Sequence, residues 1–314
     1  MRSRRKWLAA VAVLVLAHAA LWAWWYTRRP AYRARRLVAE LRGLSQPAGS
    51  SSGWLGKLKL TRRPREASAI CRDFAPLGRA AVGPLVELLN DHREPSRHLA
   101  AWSLGYLGPS AEKAVPDLVA ALDDDDSVVR LGAVHALGAV GPPSAQAVPE
   151  LVRILEEEDL SLRISAAMAL GGIGPRAEKA TPALAVALVT GDATLRGSAA
   201  LGLGGIGPGA AAAKARLSQA LYDDNLLVRV HAAWAMTKVA PPAPEAVPVL
   251  VRSLREPTSE IRAMAAAALG SMGPAARKAI PALREALKDD DENVARAAAE
   301  ALSRIRQAAR PPAQ

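Results

Sequence analysis

The strongest constraint on the fold of this chain is a segment of about 33 residues that recurs almost to the end of the sequence. Each copy opens on a proline, with one alanine exception, at Pro84, Pro116, Pro149, Pro182, Ala215, Pro248 and Pro281. The first step is 32 residues and every later step is 33. A fixed period of this size is typical of helical units that stack on their neighbours. The sequence therefore predicts an all-α solenoid.

The copy at residues 147–179 shows why each unit predicts two helices. Pro149 suits the first turn of a helix, where its missing N–H has no intrahelical partner to lose. Glu150 then places a negative charge near the helix N-terminus, which is favourable. The buried stripe is formed by Leu151, Val152, Ile154 and Leu155. The acidic residues 156–159 are the predicted turn to the second helix.

The second helix is marked by columns of recurring residues. Its predicted start carries mostly side chains that accept hydrogen bonds from free N–H groups: Arg93, Asp126, Asp159, Asp192, Asn225, Thr258 and Asp291. Four residues later stands a basic column: Arg97, Arg130, Arg163, Arg196, Arg229 and Arg262, with Ala295 last. Alanine follows three residues after that column in every copy, from Ala100 to Ala298, and leucine or methionine follows after seven. Glycines that suit a helix stop end most copies, at Gly108, Gly141, Gly174, Gly207 and Gly273.

This proline, Asp-x-x-x-Arg, Ala, Leu and Gly-Pro pattern resembles the HEAT-repeat family, in particular the short bacterial units of phycobilisome-lyase-type HEAT proteins. The resemblance covers residues 66–307. It implies an armadillo-like, right-handed α-solenoid of about seven helical hairpins. It is weak evidence for function, because the recurring residues are structural and the family is functionally diverse.

Two enzymatic activities enter through this resemblance and one of them is excluded. The deoxyhypusine hydroxylases carry a di-iron site built on His-Glu pairs, and this sequence has no His-Glu pair. It also has no glycine-rich phosphate loop, Cys-x-x-Cys or His-x-x-x-His. We therefore predict no catalytic residue, metal or cofactor. An accessory role resembling that of bilin lyases stays open as an alternative.

The charge of the chain is unevenly distributed. The net charge is +11. Residues 1–66 carry 15 Lys and Arg against two Glu, a net +13, and the remainder carries 26 basic against 28 acidic residues, a net −2. The repeats are therefore close to neutral, so a nucleic-acid partner is not predicted.

Residues 7–26 form an uncharged apolar run whose length suits a helix crossing a bilayer core of about 30 Å. Rings that favour the lipid–water boundary stand at its two ends: Trp7, Trp22, Trp24, Trp25 and Tyr26. We predict a single-pass membrane anchor with the repeats outside the cytoplasm. A cleaved signal peptide is the alternative. The arginines of a helix predicted at residues 31–43 either contact anionic lipid headgroups or are solvated.

The predicted domains follow from these segments. They are a basic tail at 1–6, the anchor at 7–26, a basic helix and flexible linker at 27–65, the repeats at 66–307 and a disordered tail at 308–314.

The arginine column has two interpretations, a phosphate-binding ladder or a structural one. Each arginine lies four residues after a capping side chain. It can therefore pair with an acid of its own unit or of the next. We favour the structural interpretation.

What does not recur is the better guide to a partner. In HEAT proteins the second helices line the concave face, which by resemblance implicates residues five and nine positions after the arginine column. The candidate contacts on and beside those columns are Trp102, Tyr106, His135, His231, Trp234 and Lys238. Aromatic side chains supply much of the energy of protein interfaces, although these rings can equally pack between repeats. The predicted function is a protein-binding scaffold, with a spacer that has no ligand as a second alternative.

Overall fold

The computed structural model of the protein describes residues 29–44, 66–157 and 159–307. Within these ranges the regular structure is entirely helical. The chain divides into two compact units, Met1–Ala136 and Leu137–Gln314. Both are built from repeat helices, which confirms the predicted all-helical repeat fold; the handedness of a superhelix stays a prediction.

The α-helices of the described residues are as follows. They are α1 Pro30–Leu44, α2 Ala67–Arg72, α3 Val82–Leu89, α4 Arg97–Leu107, α5 Val115–Ala120, α6 Ser127–Val140, α7 Val148–Ile154, α8 Leu160–Ile173, α9 Thr181–Thr190, α10 Ala193–Ile206, α11 Lys214–Ala220, α12 Leu226–Val239, α13 Val247–Ser253, α14 Ser259–Ser271, α15 Ile280–Ala286 and α16 Glu292–Gln307.

Each first helix of a repeat is entered through a short 3₁₀ segment. Gly174–Ala180, for example, continues directly into α9, with Pro182 in its first turn. The glycine that ends the preceding second helix has φ near +50 to +80° in each case: Gly108, Gly141, Gly174, Gly207 and Gly273. Side chains other than glycine are strained in that region. The predicted glycine stops are therefore confirmed, and the reason is backbone conformation.

The predicted helix starts are confirmed in most repeats. The Asp159 carboxylate accepts hydrogen bonds from the backbone N–H groups of Ser161 and Leu162, at 2.8 and 3.2 Å. Asp192 and Asn225 cap α10 and α12 in the same way. The first repeat departs from the pattern, because α4 begins at Arg97 after Ser96 rather than at Arg93.

In the second unit the second helices pack against each other along the repeat direction, α8 on α10, α10 on α12 and α14 on α16. The alanine and leucine columns lie in this core, as predicted; Ala199 and Leu203 of α10 have no exposed surface.

A glycine column, eight residues after the arginines, brings these helix backbones into contact. A Cβ added at Gly171 of α8 would lie 2.9 Å from the Cα of Gly202 in α10. A Cβ added at Gly205 would lie 2.4 Å from the carbonyl oxygen of Gly171. The helices approach so closely because neither carries a side chain at the seam.

The arginine column forms ion pairs between successive repeats. Arg196 donates from Nε and Nη2 to the two carboxylate oxygens of Asp223, at 2.8 and 2.7 Å, and from Nη1 to the carbonyl of Gly191. Arg262 binds Asp289 in the same bidentate way, and in the first unit Arg97 pairs with Asp124. We call this arrangement the arginine clip. The acid stands 27 residues after the arginine and two before the next helix cap. The structural interpretation of the ladder is therefore confirmed at these positions.

In the first unit α1 covers the start of the repeats. It packs on α2 and on the 3₁₀ segment at residues 75–81, burying Ala34, Leu37, Val38 and Leu41. The Ser96 hydroxyl donates to the carbonyl of Leu41 at 3.2 Å. Arg42 pairs with Asp91 and Glu94, each at 3.6 Å.

The prediction of a single-pass membrane protein with extracytoplasmic repeats needs correction. No helix of the described residues is both long and apolar enough to cross a membrane. A span needs about 20 apolar residues, and the 16 residues of α16 include several charges. Trp7, Trp22, Trp24, Trp25 and Tyr26, the proposed anchor residues, lie outside the described residues, as do the basic tail at 1–6 and the C-terminal tail at 308–314. Nothing in the described residues supports contact with lipid.

Candidate partner-binding site

Three of the six candidate contacts come together in the first unit. Trp102 and Tyr106 lie one turn apart on α4, and His135 lies on α6, the second helix of the next repeat. The indole of Trp102 and the imidazole of His135 stack with ring centroids 4.6 Å apart and planes tilted by 40°. Tyr106 is 44% exposed. The three rings form an aromatic surface, which we call the first-unit cluster.

The backbone of α4 makes room for this stacking. A Cβ at Gly105 would lie 2.9 Å from Nδ1 of His135, so the imidazole rests on a glycine. Partial burial lowers the pKa of His135 below its ordinary value. The imidazole is therefore neutral at pH 7, and the cluster presents uncharged rings.

The other three candidates lie on α12 in the second unit. His231, Trp234 and Lys238 are spaced three and four residues apart, which places them on one helical face. Nδ1 of His231 lies 3.2 Å from the carbonyl oxygen of Gly197. Trp234 is half-buried, and its ring lies where a Cβ at Gly204 would be, with a closest approach of 2.3 Å. We call this set the second-unit cluster.

The electrostatics of the second-unit cluster are simple. Burial lowers the pKa of His231, and the Gly197 carbonyl offsets this only in part. Lys238 is exposed. The cluster therefore joins a neutral imidazole and an indole to one cation. Each indole, Trp102 and Trp234, is half-buried, with part of its ring packed on the neighbouring repeat and part at the surface.

One exposed side chain on the same columns was absent from the predicted set. Met168 of α8 stands in the column of Trp102 and Trp234 and is 55% exposed. Its flexible thioether suits contacts with varied partners. The column position was the signal that could have found it.

The described residues contain no group of three His, Cys, Asp or Glu side chains arranged to hold a metal ion. Cys71 is buried, and burial raises the pKa of its thiol. A buried neutral thiol is a poor nucleophile.

The helical repeats, their capping acids and their inter-repeat arginines define a class, the HEAT-type repeat proteins. The comparison with known families agrees. The HEAT repeats family matches residues 82–159, 133–204, 148–225, 183–270 and 254–313. These matches cover more than half of the chain, so the chain belongs to the HEAT-repeat family. The narrower resemblance to the phycobilisome-lyase type stays a prediction.

Solved structures with related folds include armadillo-like proteins. An engineered protein is 27% identical and covers 72% of this chain and 97% of its own, with a TM-score of 0.42. A designed armadillo repeat protein in complex with the peptide (KR)4 is 18% identical and covers 71% and 99%, with a TM-score of 0.42. A Kap121p mutant is 14% identical and covers 77% of this chain and 30% of its own, with a TM-score of 0.51. The last supports the fold alone. No curated protein matches the chain.

Proposed function

We propose that this HEAT-repeat protein is a non-enzymatic scaffold that binds a protein partner through its two aromatic clusters. The observation that supports this most directly is the pairing of Trp102 with His135 beside the exposed Tyr106. Large rings that are partly packed and partly exposed lose little conformational freedom on binding, because their packed side already holds them.

The chemistry of the clusters indicates what such a partner presents. The imidazoles of His135 and His231 are neutral, since burial lowers both pKa values. The second-unit cluster adds the single cation of Lys238. We therefore expect the partner to contribute apolar or aromatic side chains, with an acidic residue opposite Lys238.

Site-specific photocrosslinking in cells tests this proposal. A photoreactive phenylalanine analogue replaces Tyr106 or Met168 in separate variants, and Tyr222, which is 83% exposed and lies outside both clusters, is the control position. We expect one partner to crosslink at Tyr106 or Met168 and not at Tyr222.

Two further substitutions separate a scaffold from a spacer. The double change Trp234→Ala with Lys238→Glu is introduced into the Met168 crosslinking variant, and we expect it to remove the crosslinked partner while leaving the far-UV circular dichroism spectrum unchanged. Absence of any crosslink at the cluster positions, or a partner insensitive to this double change, refutes the proposal.

A further inference from the structure

The arginine clip has one position in the second unit where the acid is missing. The residue 27 positions after the arginine is Asp223 for Arg196, Glu256 for Arg229 and Asp289 for Arg262. After Arg163 it is Thr190. The Thr190 hydroxyl donates to the carbonyl of Val186 in its own helix, at 3.1 Å, and does not contact the arginine.

Arg163 consequently carries an incomplete set of partners. Its Nε donates to the carbonyl oxygen of Leu155 at 2.9 Å, and among the described residues this is its one hydrogen bond. No described carboxylate pairs with it. Arg196 and Arg262, by contrast, each hold a carboxylate through two nitrogens at 2.7 to 2.8 Å. The terminal nitrogens of Arg163 thus have donor capacity that the clip uses elsewhere.

A pocket lies where the missing carboxylate would be. It has a volume of about 360 Å³ and is formed between α7, α9 and the start of α8. Its charged lining residues are Arg163, Lys179 and Glu156, which give a net charge of +1. Apolar side chains of α7 and α9, including Val152 and Val186, form much of the rest. The pocket combines a guanidinium, a second cation and apolar walls.

We propose that this pocket binds an aspartate side chain of a partner protein, which completes the clip from outside. The geometry of Arg196 with Asp223 shows how such a guanidinium holds a carboxylate in this fold. A bidentate arginine–carboxylate pair is among the stronger hydrogen-bonded contacts in proteins. The apolar walls suit aliphatic neighbours of the acid in an extended segment. The pocket lies on the first helices and the base of α8, so this proposal goes beyond binding through the aromatic clusters.

Peptide binding to the full-length protein tests the proposal. The probe is dansyl-Gly-Ala-Leu-Asp-Ala-Val-amide, whose only charge is the carboxylate, and its binding is followed by fluorescence anisotropy. Matched peptides carry Asn or phosphoserine in place of Asp. We expect the Asp peptide to bind about tenfold more tightly than the Asn peptide, since it adds a charge-assisted pair.

Two variants address the register of the clip. Arg163→Gln removes the guanidinium and is expected to abolish the preference for Asp. Thr190→Asp supplies the missing acid from within the chain, and is expected to raise the melting temperature and to abolish peptide binding. Arg277→Gln changes an exposed arginine outside the pocket and is expected to retain the preference.

The outcomes distinguish this proposal from its rivals. Equal binding of the Asp and Asn peptides, or a preference for Asp that survives Arg163→Gln, overturns it. Binding of the phosphoserine peptide alone, lost in Arg163→Gln, overturns it in favour of a phosphate site. Thr190→Asp with unchanged melting temperature and unchanged binding shows that the register argument is wrong. Trp234→Ala is expected to leave Asp-peptide binding unchanged, so the two proposals succeed or fail separately.

Discussion

The contact between helix backbones at the glycine seam predicts a steep penalty for a single methyl group. Gly205→Ala places a Cβ at 2.4 to 2.8 Å from three backbone atoms of Gly171. Backbone atoms of a packed helix cannot rotate aside, so α8 and α10 must separate.

The magnitude follows from two opposed effects. Alanine in place of glycine favours the helix by about 0.5 to 1 kcal/mol. Overpacking costs about 1 to 3 kcal/mol, and three backbone contacts below 3.0 Å place Gly205 at the upper end. We expect Gly205→Ala to lower the free energy of unfolding by about 2 kcal/mol.

Two matched substitutions sharpen this prediction. At Gly204 the closest atoms belong to the ring of Trp234, at 2.3 and 2.8 Å, and a half-buried ring can move. We expect Gly204→Ala to cost about 1 kcal/mol, because part of the overpacking is relieved. At Gly83 no atom lies within 4 Å of an added Cβ. Gly83→Ala should therefore change stability by less than about 1 kcal/mol, in the stabilising direction.

Urea denaturation followed by far-UV circular dichroism measures all three variants, with the same slope required for a direct comparison. A stability for Gly205→Ala equal to that of the wild type, or greater than that of Gly204→Ala, refutes the backbone contact.

Three more predictions concern the clip, a cap and a histidine. Asp223→Asn should cost about 1 to 2 kcal/mol at pH 7; Arg196 lowers the folded-state pKa of Asp223 below 3.8, so this contribution is present above about pH 4 and lost as the pH falls through the folded pKa. Melting curves at pH 7 and pH 3 should show the difference between variant and wild type shrinking, and a constant difference would contradict the pairing. Asn225→Ala removes two hydrogen bonds from the N-terminus of α12 and should cost about 1 kcal/mol in urea denaturation; no loss would mean that solvent replaces the cap. Burial lowers the folded-state pKa of His231, so the unfolded chain binds its proton more readily and stability should fall between pH 7.5 and 5.5; this slope should flatten in His231→Gln, and an unchanged slope would assign it to another group.

The repeat itself could be predicted from the sequence in detail. Asp159, Asp192 and Asn225 were predicted at helix starts and cap them, because capping depends on neighbours within three residues. Gly141 and Gly174 were predicted as stops and have positive φ, which is also a local property.

What spans two repeats was harder to predict. The acid bound to Arg196 is Asp223, two residues before the cap Asn225, and only the distance between adjacent repeats selects it. The glycines of the seam gave no sign of which backbone they contact. A small residue records that something is close, and the packing of the helices decides what that is.

The candidate contacts could be placed on a column but not ranked by exposure. Tyr106 and Met168 are among the exposed residues, whereas Trp234 is half-buried on Gly204. The depth of each ring depends on the residue beneath it in the preceding repeat, which the period alone does not specify.

The clip also governs how this chain can change in length. Each internal repeat carries an arginine that reaches forward and an acid that is held from behind, so a whole 33-residue segment can be duplicated or deleted and every charge still meets its opposite. At the first repeat Asp91 is held by Arg42 of α1, and in the last described repeat Ala295 stands where the others have arginine. Inserting a single residue between Arg196 and Asp223 would instead break the register. We expect relatives of this protein to differ in length by complete repeats.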